Sequence, residues 1–121
     1  MADATNLDTV ISALPLAAQV GQLIAARIRG TALDDEMAAT IRDCHLGGAV
    51  LFADNFAAPE EARALTARLQ ALCGLPGLPA LISADQEGGR VQRLKPPATS
   101  FPSAMAVGAT GSAEHARRWG L

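Results

Sequence analysis

The chain has 121 residues, half of them apolar, 3% aromatic and 18% charged, with a formal net charge of −2. That composition suits one small domain with a real core and excludes a disordered chain. The basic residues are scattered, which excludes a nucleic-acid footprint, and no apolar run nears the ~18 residues of a membrane span.

The first ten residues, MADATNLDTV, lack a basic stretch followed by an apolar one, so no signal peptide is expected. Pro15 to Gln22 reads as a leading helix with Leu16 and Val20 facing inward. Three short apolar runs follow: LIAARI (23–28), GAVLFA (48–53) and ALISA (80–84). Each is too short for a helix and none alternates, which predicts strands buried on both faces of a parallel sheet. Between them, residues 31–48 predict a helix with Leu33, Met37, Ile41 and Cys44 on one face. Thr31 and Asp34 have capping-box-like spacing, and Gly47-Gly48 ends the segment. Residues 59–74 predict a clearer helix, with Pro59 at the first position and Glu60 and Glu61 at the positive end of the dipole. Its inner face is Ala62, Leu65, Leu69 and Leu72, Gly74 offers a left-handed cap, and prolines follow at 76 and 79. Gly88 to Ser103 reads as a long loop, and a helix near 112–121 reads as still in progress at Leu121. The alternation predicts right-handed crossovers and an α/β fold.

Two cysteines, Cys44 and Cys73, lie far apart and outside any C-x-x-C spacing. They read as buried thiols in a reducing compartment, which makes the expected location cytoplasmic. His45 and His115 have no metal-ligand partner at i+4, so both read as structural or surface groups and no metal or cofactor is expected. Trp119, the single tryptophan, reads as a packing residue.

The dense segment is LISADQEGGRVQRL, residues 81–94. An apolar strand ends in Asp85, which places a carboxylate where α/β sheets bind ligands, beyond the carboxyl ends of the strands. A carboxylate can accept hydrogen bonds from neighbouring sugar hydroxyls. Gly88-Gly89 lets the backbone turn sharply, and Arg90 and Arg93 add rigid forks of donors. A purely structural ion-pair network is the plain alternative. Asp85 and Glu87, about 6.6 Å apart along an extended chain, could also be paired glycosidase carboxylates, although such pairs normally come from different elements. A phosphate cradle lacks the required spacing and the helix that should follow.

At this point the sequence resembles the glycoside hydrolase family 3 N-terminal domain, in its β-N-acetylhexosaminidase branch. LPLAAQVGQLI (14–24), HLGGAVLFADNF (45–56), LISADQEGGRVQRL (81–94) and FPSAMAVGAT (101–110) come in the family's order. The resemblance implies the N-terminal part, about three βα units, of a TIM (β/α)8 barrel, with residues 1–121 one catalytic-domain fragment truncated before the catalytic motifs. It implies a retaining exo-glycosidase that removes terminal non-reducing β-linked N-acetylglucosamine from amino-sugar oligosaccharides or cell-wall fragments. Asp85 and Arg93 would bind substrate, and Glu87, Gly88, Gly89 and Arg90 would shape the loop. A full barrel needs ~250 residues. No residue here matches the family's aspartate nucleophile or its catalytic histidine, so the expected catalytic set is empty and the chain alone is expected to be inactive. The alternatives are a β-glucosidase of the same family, or a non-catalytic sugar- or partner-binding remnant. No nucleic-acid or membrane partner is expected, and the oligomeric state is not readable.

Overall fold

A computed structural model describes residues 7–75 and 78–120. Residues 1–6 of the stretch read as lacking a leader, Pro76 after the second helix, and Leu121 lie outside the described residues. The chain forms two compact units, divided between Ser83 and Ala84.

The first unit begins with helices α1 (Leu7–Ser12) and α2 (Leu16–Gly21), the former not anticipated from the sequence. Strand β1 (Ala25–Arg27) then pairs in parallel with β2 (Gly48–Leu51), Ala25 opposite Gly48. Between them lies α3 (Asp35–Asp43), and after β2 come a 3-10 turn (Ala53–Asn55), α4 (Pro59–Cys73) and β3 (Leu81–Ala84). The sheet order is β1-β2-β3. The α/β class and the parallel pairing expected from unbroken apolar runs are therefore present. Only the central strand β2 is buried along most of its length, whereas the outer strands β1 and β3 alternate between half-buried and exposed residues. The expectation of three fully buried strands is corrected accordingly: an outer strand has a neighbour on one side only.

Both long helices start as their sequences dictate. Asp34 caps α3, its side chain accepting a hydrogen bond from the Met37 amide at 2.7 Å. The helix therefore begins after Asp34, not at Thr31. Pro59 occupies the first turn of α4, where its missing N–H costs nothing. Leu65, Leu69 and Cys73 of α4, with Ala38 and Ile41 of α3, form the core together with Ile28, Leu46, Ala49 and Leu51. Gln70 reaches from α4 to grip both backbone groups of Ala80, at 2.9 and 3.0 Å, and so fixes the entry to β3.

Glycines and small residues work differently from the sequence reading. Leu16 and Val20 do not face inward: they are 74% and 50% exposed, and the buried residues of α2 are Ala18 and Gly21. The reason is backbone proximity. A Cβ on Gly21 would lie 2.1 Å from the Cys44 carbonyl oxygen, so only a small face fits there. Gly47 and Gly48 do not cap α3, which ends at Asp43 with His45 in the left-handed region. They instead let the backbones of Gln22 and Leu81 approach closely. Gly74 is extended, not left-handed (φ −70°, ψ 139°). Cys73 is buried, and burial pushes its thiol pKa up, whereas Cys44 is exposed.

The second unit replaces the expected long loop with an antiparallel hairpin, β4 (Gln86–Gly88) and β5 (Val91–Gln92). An irregular stretch leads to α5 (Ala104–Gly108), which was not anticipated, and α6 (Ala113–Arg118). Ser103 and Ser112 cap them. The last helix is closed, with Gly120 at φ +75° past its end, so the expectation of an unfinished helix is corrected. Trp119 is 44% exposed, which makes it a poor packing residue in this unit. No helix among the described residues is long and apolar enough to cross a membrane.

Candidate functional site

Asp85 directly follows the last residue of β3, and the hairpin begins at the next residue. Across the hairpin, Arg93 follows the last residue of β5. The two positions named from the sequence are thereby brought together: Arg93 Nη2 lies 3.6 Å from Asp85 Oδ2. That distance is an ion-pair contact but too long for a hydrogen bond. The Asp85 side chain is 48% exposed and that of Arg93 27%. Arg93 is the only partner of the Asp85 carboxylate among the described residues. Most of its acceptor capacity therefore faces solvent. A hydroxyl entering here could donate to the carboxylate and accept from the guanidinium at once.

The turn is built by Gly88 (φ +78°) and Gly89 (φ +59°), a conformation that costs an ordinary side chain about 1–2 kcal/mol. Space also requires glycine at the first position. A Cβ on Gly88 would lie 2.3 Å from the Pro102 carbonyl oxygen and 2.8 Å from the Phe101 ring. The Gly89 amide donates to the Phe101 carbonyl at 2.9 Å, which ties the turn to the segment before α5. Glu87 and Arg90 are exposed. They line, with Gly88, Gly89, Val91, Phe101 and Met105, a cavity of about 560 Å³ on the hairpin. Asp85 and Arg93 are not among its lining residues.

Two residues absent from the sequence-based site organise it. Gln86 and Gln92 direct their carboxamides at the backbone around Arg93 and at residues 100–101. Their signal was present in the motif, but a glutamine's backbone contacts leave no trace in spacing or hydropathy.

The first unit holds a second Asp–Arg pair, at the carboxyl ends of β1 and β2. Arg27 Nη2 lies 3.5 Å from Asp54 Oδ1, and the guanidinium stacks 4.7 Å above the Phe52 ring. Asp54 Oδ2 accepts from the Gly30 amide at 3.1 Å. That hydrogen bond, and then the Arg27 charge, hold the Asp54 carboxyl below the usual range. Beside it Asn55, fully buried, donates to the carbonyls of Ile28 and Gly30 and accepts from the Phe52 amide. Among the described residues no three His, Cys, Asp or Glu side chains cluster as a metal site. His45 follows α3 and His115 sits in the first turn of α6.

The family model described as the glycosyl hydrolase family 3 N terminal domain matches residues 15–121. A beta-hexosaminidase of Alkalilimnicola ehrlichii is 42% identical over 76 residues, covering 63% of this chain and 21% of that protein. Among solved structures, a glycoside hydrolase family 3 beta-N-acetylglucosaminidase from Paenibacillus sp. str. FPU-7 superposes with a TM-score of 0.75 at 41% identity, over 86% of this chain and 20% of its own. NagZ from Neisseria gonorrhoeae in complex with N-trifluoroacetyl-D-glucosamine superposes with a TM-score of 0.66 at 32% identity, over 78% and 27%. The chain thus spans about a fifth to a quarter of the length of these relatives.

Proposed function

Because the chain belongs to the glycosyl hydrolase family 3 N-terminal domain family, we propose that it is the sugar-recognition corner of a β-N-acetylhexosaminidase. Residues 1–121 would form the first three βα units of a (β/α)8 barrel. The whole enzyme would remove terminal, non-reducing β-linked N-acetylglucosamine from amino-sugar oligosaccharides or cell-wall fragments, in the cytoplasm, by a retaining mechanism. Asp85 and Arg93 would grip hydroxyls of the terminal sugar. Glu87, Gly88, Gly89 and Arg90 would shape the loop that presents them.

The observation that carries this reading is the Asp85–Arg93 pair itself. Asp85 directly follows β3 in the chain, the position where α/β folds carry ligand-binding residues, and about half of its side chain is open to solvent. The relative solved with N-trifluoroacetyl-D-glucosamine supports an amino sugar as the ligand. These 121 residues supply recognition without a nucleophile or a general acid, so hydrolysis is expected only where the remaining barrel motifs are present.

The test compares two substrates. A protein carrying this chain together with those motifs should hydrolyse aryl N-acetylglucosaminide much faster than aryl glucoside, and the 121-residue chain should hydrolyse neither. A preference for the glucoside would favour the β-glucosidase reading. Turnover by the 121 residues would sink the division of labour proposed here.

A further inference from the structure

β5 ends at Gln92, so the amides of Arg93 and Leu94 have no strand partner in the ladder. Backbone donors seldom stay unpaired when partly buried. Here a side chain replaces the missing strand. Gln86 Oε1 accepts from the Arg93 amide at 2.8 Å and from the Leu94 amide at 3.0 Å, and its Nε2 donates to the Leu94 carbonyl at 3.1 Å. The three bonds fix which end of the carboxamide points where, since two N–H donors must face the oxygen. Only a carboxamide offers two acceptor sites and a donor in one plane. Glutamate keeps the acceptors and loses the donor.

The clasp seizes the backbone at Arg93 itself. Gln86 is also the residue directly after Asp85. One residue is therefore bonded to the peptide of the arginine and covalently joined to the aspartate. We propose that Gln86 is the positioning residue of the pair: its carboxamide sets the Arg93 guanidinium at ion-pair distance from Asp85. This deepens the proposed function, because it assigns how the sugar-binding geometry is held. Gln92 provides the natural contrast. It donates to the Phe101 carbonyl at 3.0 Å and accepts from Ser100 Oγ at 3.1 Å, which anchors the following segment and leaves the Arg93 peptide alone.

The test reads the pair directly. In the 15N-labelled chain, Asp85→Asn should displace the Arg93 Nε–Hε resonance. In a Gln86→Met background that displacement should shrink by more than threefold. Gln92→Met should preserve it, and Gln86→Glu should preserve more than half. The dissociation constant for N-acetylglucosamine should rise in the same order. An undiminished displacement in Gln86→Met would overturn the proposal, and so would equal losses in Gln86→Met and Gln92→Met, since both outcomes make Gln86 no more than a general brace. If Gln86→Met unfolds the hairpin, Gln86→Glu decides: a folded Gln86→Glu that loses the displacement contradicts the assignment, and one that keeps it supports it. A wild-type chain that shows the displacement but ignores the sugar would sink the functional reading while upholding the role of Gln86.

Discussion

Among the described residues, Arg27–Asp54 at 3.5 Å and Arg93–Asp85 at 3.6 Å are Asp–Arg pairs of nearly equal span, one in each compact unit. Their surroundings differ. Asp54 already accepts from Gly30, and Arg27 rests on Phe52, so the first pair is committed to joining the loops after β1 and β2. Asp85 has its arginine, and about half of its side chain faces solvent. An ion pair's length thus says little about its use. What decides is whether the remaining hydrogen-bonding capacity is consumed by the protein or left for a ligand. Neither pair is a strong source of stability, because water and salt screen ion pairs at a protein surface.

That contrast can be broken at several points. Removing the frame of the second pair should have the largest effect. Gly88→Ala combines a positive φ with a Cβ placed 2.3 Å from the Pro102 oxygen, and should destabilise the hairpin by at least about 2 kcal/mol. Hydrogen exchange at the Gly89 amide reads this directly. Gly108→Ala, where nothing lies within 4 Å, should instead be neutral or stabilise α5 by up to about 1 kcal/mol. Removing the frame of the first pair comes next. Asn55→Ala strips three hydrogen bonds from a fully buried site and should lower stability by about 2–3 kcal/mol in thermal unfolding followed by circular dichroism.

Substitutions within the pairs should be gentler and should separate them. Arg93→Lys keeps the charge but loses the planar fork, and should weaken N-acetylglucosamine binding roughly 5- to 10-fold with little change in melting temperature. The smallest effect belongs to Asp54. Its folded carboxyl is held low, so its contribution is fully present above the unfolded value near ~3.9 and is lost as pH falls through the folded value. The stability difference between wild type and Asp54→Asn should be constant near neutrality and disappear at the acid end of a pH series of melts. A difference that instead grew on acidification would reverse the assigned sign.

The sequence carried the architecture where hydropathy carries it. Unbroken apolar runs marked β2 and its neighbours, and Pro59 marked the start of α4, whereas α3 starts after Asp34 and not at the expected Thr31. It misled where backbone contacts govern. Gly47, Gly48 and Gly74 look like helix stops, but the first two serve close packing and the third is extended, and α2 is buried through Ala18 and Gly21, not through Leu16 and Val20. The hairpin was invisible because β4 and β5 are only three and two residues long, too short to show a hydropathy pattern. For the candidate site, residue type and motif singled out Asp85 and Arg93, which the fold brings to ion-pair distance. The grip of Gln86 on the Arg93 and Leu94 backbone was not legible, since a carboxamide bonded to backbone has no hydropathy signature.

One titration tests the central claim most directly: N-acetylglucosamine added to the labelled wild-type chain, to Asp85→Asn and to Asp54→Asn, followed by the hairpin amide resonances. The account predicts saturable shifts in wild type and Asp54→Asn, and none in Asp85→Asn. Equal loss of response in the two aspartate variants, or no response in wild type, would contradict it.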